Sequence, residues 1–168
     1  MKIIIGALLT FFSTTAIAQF NRGITNKDLK VLVGNWQGTA VITDTAYNNA
    51  MYSLLSVIEI TDKTDSLELN FTNTGTKGKA ITEKTSLYIY DEGKMISIGG
   101  DAYEITSTSR RGIRLTIVAE KQAYENYKLM DFRRQYIFGP TVLNIIKEAR
   151  FVDMDAYFIR SRASYTKK

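Results

Sequence analysis

Apolar and polar residues alternate with a period of two along most of the chain after Trp36. The pattern is clearest in segment 66–71 (SLELNF) and segment 113–117 (IRLTI). Successive side chains of a β-strand point to opposite faces, so this period indicates strands with one buried face and one face in contact with water. Turn residues interrupt the pattern about every ten residues, which is typical of antiparallel strands joined by short connections. The sequence therefore predicts an all-β protein of about eight to ten strands.

The connections between these strands predict how they are arranged. Asp91-Glu92-Gly93-Lys94 and Gly139-Pro140 are short turn sequences of the kind that join neighbouring antiparallel strands. A long meander exposes two edges unless it closes on itself, so we expect an antiparallel up-and-down barrel. Segment 120–130 fits the pattern least well: its tyrosines suit either a helical turn or a long hairpin loop, and we assign it as loop.

One short helix is predicted before the first strand. In segment 24–33 (ITNKDLKVLV), Thr25 is a suitable N-cap, Asp28 lies in the first turn, and the apolar residues fall on one face. Gly34 follows, and glycine commonly ends a helix. The period then changes from 3.6 to 2, which places the helix immediately before the barrel.

The first 18 residues have the composition of a secretory signal peptide. A lysine precedes an apolar run over 3–12, and Ala16-Ile17-Ala18 provides small residues for cleavage. The run is too short to span a bilayer, and no later segment predicts a transmembrane helix. Residues 19–168 then form a single domain. A cysteine-free exported chain of this composition indicates a bacterial protein, periplasmic or secreted, of a Gram-negative organism.

Composition argues against several functional classes. The chain has no histidine and no cysteine, which removes the usual general base and the thiolate and imidazole metal ligands. With no recognisable catalytic motif, we expect no enzyme activity, no metal and no cofactor, since only a tyrosinate is left to hold a haem iron. The formal net charge of +5 is too small to predict nucleic-acid binding.

The predicted helix is followed by Gly34-x-Trp36, and the meander ends in an arginine-bearing strand. This order resembles the calycin superfamily, which includes lipocalins, fatty-acid-binding proteins and small bacterial barrels. The resemblance implies that Trp36 closes one end of the barrel and that Arg160 or Arg162 packs across its indole ring. Gly34 would then leave the helix at a positive φ, and Gly38 would allow the first strand to bend.

The last strand carries one set of candidate binding residues. Regular alternation in segment 157–168 places Phe158, Arg160 and Arg162 on one face. The resemblance implies that an arginine of this strand, together with a tyrosine, holds a ligand carboxylate inside the barrel. Regular alternation places Tyr165 on the opposite face from Arg162. In the alternative interpretation, one arginine stacks on Trp36 and the other is solvated.

A second set lies in segment 131–138 (DFRRQYIF), where Arg134 and Tyr136 share a face with aromatic residues. An arginine on an inner face requires an anion, which is either a ligand or a protein carboxylate. Glu104, Glu148 and Asp155 are the possible protein partners. The candidate ligand-binding residues are Arg160, Arg162, Arg134, Tyr136 and Phe158.

These features predict an exported protein that holds a small apolar or amphipathic ligand, including an anionic one, inside a lipocalin-like barrel. A barrel of this size has room for a ligand only if small side chains line part of its interior. The alternative is a filled barrel that serves as a structural or protein-interaction module of the bacterial envelope. A hydrolase or isomerase without a recognisable motif is a third hypothesis.

Overall fold

The computed structural model describes residues 23–44, 50–75 and 78–168, except for the side chain of Asp44. The predicted signal peptide, residues 1–18, lies outside the described residues. Within them, one helical segment precedes ten strands: α1 covers Asn26–Leu29 and continues as a 3-10 turn over Lys30–Leu32. The strands are β1 Gly34–Asp44, β2 Ala50–Lys63, β3 Ser66–Thr74, β4 Ala80–Tyr90, β5 Met95–Ile98, β6 Asp101–Arg111, β7 Arg114–Glu125, β8 Lys128–Phe138, β9 Val142–Phe151 and β10 Phe158–Lys167.

Each strand pairs with its neighbours in sequence, and β1 also pairs with β10, so the sheet closes into a barrel. All of these pairings are antiparallel. The prediction of an all-β, up-and-down, lipocalin-like barrel with a short N-terminal helix is therefore confirmed. Closure pairs both edges of the sheet, which an open meander of this length would leave exposed.

The helical segment covers one end of the barrel, which we call the closed end. Asp28 accepts a hydrogen bond from the backbone N–H of Thr25, at 2.9 Å, and so stabilises the first turn. The Asn26 amide donates to the Ile89 carbonyl at 3.0 Å and accepts from the Ile89 N–H at 2.6 Å, which fixes the helix to β4. On the inner side of the helix, Leu29 is buried in the core.

Trp36 fills the closed end. Its side chain is 0% exposed, and its Nε1 donates to the Leu32 carbonyl at 2.7 Å. Lys167 lies over the indole, with Nζ 5.3 Å from the ring centroid. The expectation that Arg160 or Arg162 covers this ring is wrong, because the register of β1 and β10 places Lys167 directly opposite Trp36.

Two glycines near Trp36 have different roles. Gly34 has a φ of +132°, as expected where the chain leaves the helical segment. At Gly38 the constraint is the neighbouring strand, because a Cβ there would overlap the Ser164 carbonyl of β10. The two backbones approach so closely only because residue 38 has no side chain.

Segment 120–130 is a hairpin, so its assignment as a loop is wrong. Strand β7 continues to Glu125 and β8 begins at Lys128. Only Asn126 and Tyr127 turn the chain, with φ of +50° and +63°. Positive φ at both central residues is the signature of the type I′ turn that matches the twist of paired strands. The tyrosines that obscured the period in the sequence lie on strand ends and on the turn.

A β-bulge in β10 changes which residues face the interior. Ile159 pairs with Glu148 and Ser161 pairs with Lys147, which leaves Arg160 as an extra residue in the strand. The expected common face of Phe158, Arg160 and Arg162 is therefore wrong. Arg162 lies exposed on the outer face, opposite Val41 of β1.

Candidate functional site

The barrel end opposite the helical segment, where β7 turns into β8, is called the open end. Between the closed end and the open end, the barrel interior contains a cavity of about 300 Å³. Its apolar walls come from inward side chains of several strands, among them Leu69 on β3, Leu87 on β4 and Ile145 on β9. Polar side chains line the same cavity from β8, β9 and β10 and also from β4, where Glu83 is a carboxylate. The cavity is therefore amphipathic, with apolar side chains beside charged and hydroxylated ones.

Arg134 of β8 is a cation within this cavity. Its Nε donates to the Tyr103 hydroxyl at 3.0 Å, and its guanidinium carbon lies 5.1 Å from the centroid of the Tyr103 ring. Burial disfavours the charge, but the nearby phenol oxygens of Tyr136 and Tyr103 outweigh it, so the pKa of Arg134 is raised. The side chain is half-buried and remains cationic.

Lys147 of β9 is a second cation candidate beside the first. It lies directly opposite Arg134 in the register of β8 and β9, is half-buried, and lines the same cavity. Burial lowers the pKa of Lys147, the positive charge of Arg134 lowers it further, and only Glu83 opposes the shift. Two basic side chains thus meet in a partly desolvated space.

None of the ion pairs found among the described residues includes Arg134 or Lys147. Of the three carboxylates considered from the sequence, Glu148 binds Arg133 at 2.7 Å on the outer face, while Glu104 and Asp155 are exposed. The internal ion pair offered as the alternative for Arg134 is therefore not formed in this part of the chain.

Hydroxyl groups complete the polar side of the cavity. The Tyr165 hydroxyl lies 3.0 Å from the buried Ser56 hydroxyl, and burial raises the pKa of Tyr165. Tyr136 is also buried, and burial raises the pKa of its phenol despite the neighbouring guanidinium. Both phenols are neutral at neutral pH and can donate or accept hydrogen bonds.

A groove of about 1000 Å³ lies at the open end. Phe158 lines it together with Met130 and Phe151. Arg160 also lines it and donates to both carboxylate oxygens of Glu125, at 2.7 and 3.1 Å. A pocket of about 150 Å³ shares Arg160 with the groove, and it shares Arg134 and Lys147 with the interior cavity. The small pocket thus lies between the two larger spaces.

The residues predicted from the sequence fall into two groups in the structure. Arg134 and Tyr136 line the interior cavity, whereas Phe158 and Arg160 line the groove. Arg162 reaches the groove from the outer face. Because Arg160 is already neutralised by Glu125, Arg134 is the better placed of these arginines to meet an anion from solution.

Sequence reasoning missed Lys147. Segment 143–149 (LNIIKEA) alternates with the period of a strand. Lys147 lies on the same inward face of that strand as Leu143, Ile145 and Ala149. A lone charged residue at an inward position of a strand is the signal that could have identified it.

Lys147 is expected to make stability depend on pH. Its pKa is lower in the folded state, so the unfolded chain binds more protons between that lowered pKa and the ordinary value of 10.5, and stability rises with pH across this window. We therefore expect the wild type to gain stability relative to Lys147→Met between about pH 7 and about pH 10, as measured by urea unfolding. The exposed Lys94 provides the control Lys94→Met, which removes a lysine from the surface and not from the cavity. A difference that does not change with pH for Lys147→Met would contradict the assignment.

Other kinds of site find no support in the described ranges. No group of three or more acidic, histidine or cysteine side chains there is arranged to hold a metal ion. No helix among the described residues is long and apolar enough to cross a bilayer.

Comparison with solved structures shows the fold. The barrel is similar to Rv2717c from M. tuberculosis, with a TM-score of 0.61 and 13% sequence identity over 84% of this chain and 96% of that one. It is also similar to the S-type phycobiliprotein lyase CpeS from Guillardia theta, with a TM-score of 0.52 and 11% identity over 86% of this chain and 93% of that one. No family model and no curated protein matches the sequence. These similarities support the calycin-like barrel at the level of architecture.

Proposed function

We propose that this protein binds a small amphipathic molecule inside its barrel and that Arg134 and Lys147 receive an anionic group of that molecule. The observation that carries the proposal is the juxtaposition of these two basic side chains in the cavity with no ion pair to a described carboxylate. A half-buried guanidinium that forms no ion pair is costly, and an anion bound beside it would relieve that cost.

The chemistry of the cavity suits a ligand with one charged end. The guanidinium of Arg134 can bind a carboxylate or phosphate through two parallel hydrogen bonds, and the phenol of Tyr136 can add another. The apolar walls would hold the rest of the molecule. A volume of about 300 Å³ is at the lower end of the range for ligand sites, so the ligand is small or extends into the groove at the open end.

We also propose that the protein acts outside the cytoplasm, in the periplasm or after secretion. The support is the arrangement of residues 1–18, where a lysine, an apolar run and small residues follow in the order of a signal peptide. Binding in that compartment would serve transport, storage or sequestration of the ligand.

Isothermal titration calorimetry with octanoate and 1-octanol tests the binding proposal, since the two compounds differ in charge but have the same chain. The wild type should bind octanoate more tightly. Arg134→Met should weaken octanoate binding by about tenfold or more, the range expected for loss of a charge-assisted hydrogen bond, with little change for octanol. The exposed Arg111 provides the matched control Arg111→Met, which should leave both affinities unchanged.

Equal affinity of the wild type for octanoate and octanol would contradict the role of the cations. Failure to bind either compound would contradict the proposed function as a whole. The envelope-interaction module would then gain support from exposed apolar side chains on β2, where Met51 is 71% and Leu55 is 68% exposed.

A further inference from the structure

Lys147 has a primary amine that can act as a nucleophile, a property that anion binding alone does not use. We infer that its ε-amine forms a reversible imine with the carbonyl group of a 2-oxo acid or an acidic aldehyde bound in the barrel. This inference rests on the proposed function, because it requires that the interior cavity admits an amphipathic anion.

The geometry sets the anion and the carbonyl at adjacent positions. Arg134 and Lys147 are directly opposite on neighbouring antiparallel strands, where Cβ atoms are about 5 Å apart. A 2-oxo acid has its carboxylate and its carbonyl carbon joined by a single bond. If the carboxylate binds the guanidinium, the carbonyl carbon is therefore held on the side of the guanidinium where Lys147 lies.

A second inward lysine shows what distinguishes Lys147. Lys121 of β7 is paired with Phe132 in the barrel register, and its Nζ lies 2.8 Å from the Asp101 carboxylate and 4.8 Å from the Tyr103 ring centroid. Both contacts engage the Lys121 amine with groups of the barrel itself. No described carboxylate makes an ion pair with Lys147.

The surroundings of Lys147 favour the neutral amine that attack on a carbonyl requires. Arg134 on β8 faces it with a positive charge, Glu83 on β4 provides the single opposing charge, and the Tyr136 and Tyr165 phenols line the same cavity. Burial and the guanidinium together lower the pKa of Lys147. A lysine beside another cation in a partly desolvated site is a recognised form of activated amine nucleophile.

The reaction balances without an oxidant or a reductant. The Lys147 nitrogen attacks the carbonyl carbon, a C–N bond forms, and the nitrogen loses its two hydrogens as the carbonyl oxygen leaves in one molecule of water. The phenol of Tyr136, which pairs with Ile145 two residues from Lys147 on β9, stays protonated at neutral pH because burial raises its pKa, and so can donate to the leaving oxygen. Addition of water reverses the step and releases the ligand.

Reductive trapping tests the inference. The purified protein is incubated with 2-oxooctanoate and sodium cyanoborohydride, and the adduct is measured by intact mass spectrometry and located by peptide mapping. We expect one dominant adduct at Lys147 in the wild type, and total adduct formation at least about tenfold slower in Lys147→Met. The variants Lys121→Met and Lys94→Met, one inward and one exposed, should keep the wild-type rate.

Octanoate separates failure of the imine from failure of the binding site, because it carries the anion but no carbonyl. Arg134-dependent binding of octanoate without an adduct at Lys147 overturns the imine and leaves the proposed function intact. An adduct formed equally fast in Lys147→Met also overturns it, and absence of binding by both acids overturns both proposals. Should Lys147→Met not fold, Lys147→Arg retains the charge without the amine nucleophile and should bind octanoate while giving no adduct.

Discussion

Replacing Trp36 with alanine is expected to lower the free energy of unfolding by about 4 kcal/mol, within the range measured for removal of a large buried aromatic side chain. The indole is 0% exposed and lies beneath the helical segment, where Leu29 and Leu32 are also buried. Its removal leaves a cavity and deprives the Leu32 carbonyl of its donor. Because the helical segment rests on this side chain, we expect the closed end to loosen first.

Urea unfolding followed by far-ultraviolet circular dichroism measures the effect of Trp36→Ala without relying on the lost indole fluorescence. Trp36→Phe is the matched control, since it keeps most of the aromatic volume and loses only the N–H donor and part of the ring. We expect the phenylalanine variant to lose less than half as much stability as the alanine variant. A loss below about 1 kcal/mol for Trp36→Ala would show that the closed end does not depend on this side chain.

Replacing Gly38 with alanine is expected to cost about 3 kcal/mol or more, at or beyond the upper end of the range for overpacking substitutions. The added Cβ would overlap the Ser164 carbonyl, and backbone atoms cannot rotate away as a side chain can. The strain must therefore separate β1 from β10, which is the pairing that closes the barrel. We expect loss of cooperative unfolding or failure to accumulate as folded protein.

Gly75→Ala is the control for Gly38→Ala, because a Cβ at position 75 would meet only the tip of Leu54 at 3.7 Å, an ordinary van der Waals distance. Thermal unfolding of both variants can be compared under one set of conditions. A Gly38→Ala protein as stable as the Gly75→Ala protein would mean that β1 and β10 can move apart without cost.

The alternation of residue types was sufficient to predict the architecture. Period two, short turns and a capped helix led to a closed antiparallel barrel because each of these signals acts over a few residues. The hairpin at Asn126 and Tyr127 differs from the loop predicted for segment 120–130, because the tyrosines there hide the alternation and both turn residues take positive φ without being glycine. A rule that recognises turns by their residue types fails where a residue other than glycine adopts the positive φ that the turn requires.

The candidate site was harder to predict because it depends on register. Arg133 and Arg134 are adjacent in sequence and face opposite sides of β8, yet only the pairing with β9 shows that Glu148 meets Arg133 and Lys147 meets Arg134. The position of Lys167 over Trp36 likewise follows from the pairing of β1 and β10. A period predicts which residues share a face, but it does not predict which residue lies across from them.

The extra residue at position 160 in β10 has an evolutionary consequence. Ile159 and Ser161 pair with two consecutive residues of β9, so Arg160 between them has no pairing partner on that strand. A codon change at that site would alter the chemistry at the rim of the barrel while the flanking positions kept their inward or outward orientation. Related barrels could thus diversify what they admit by varying a residue on which the hydrogen-bonded framework does not depend.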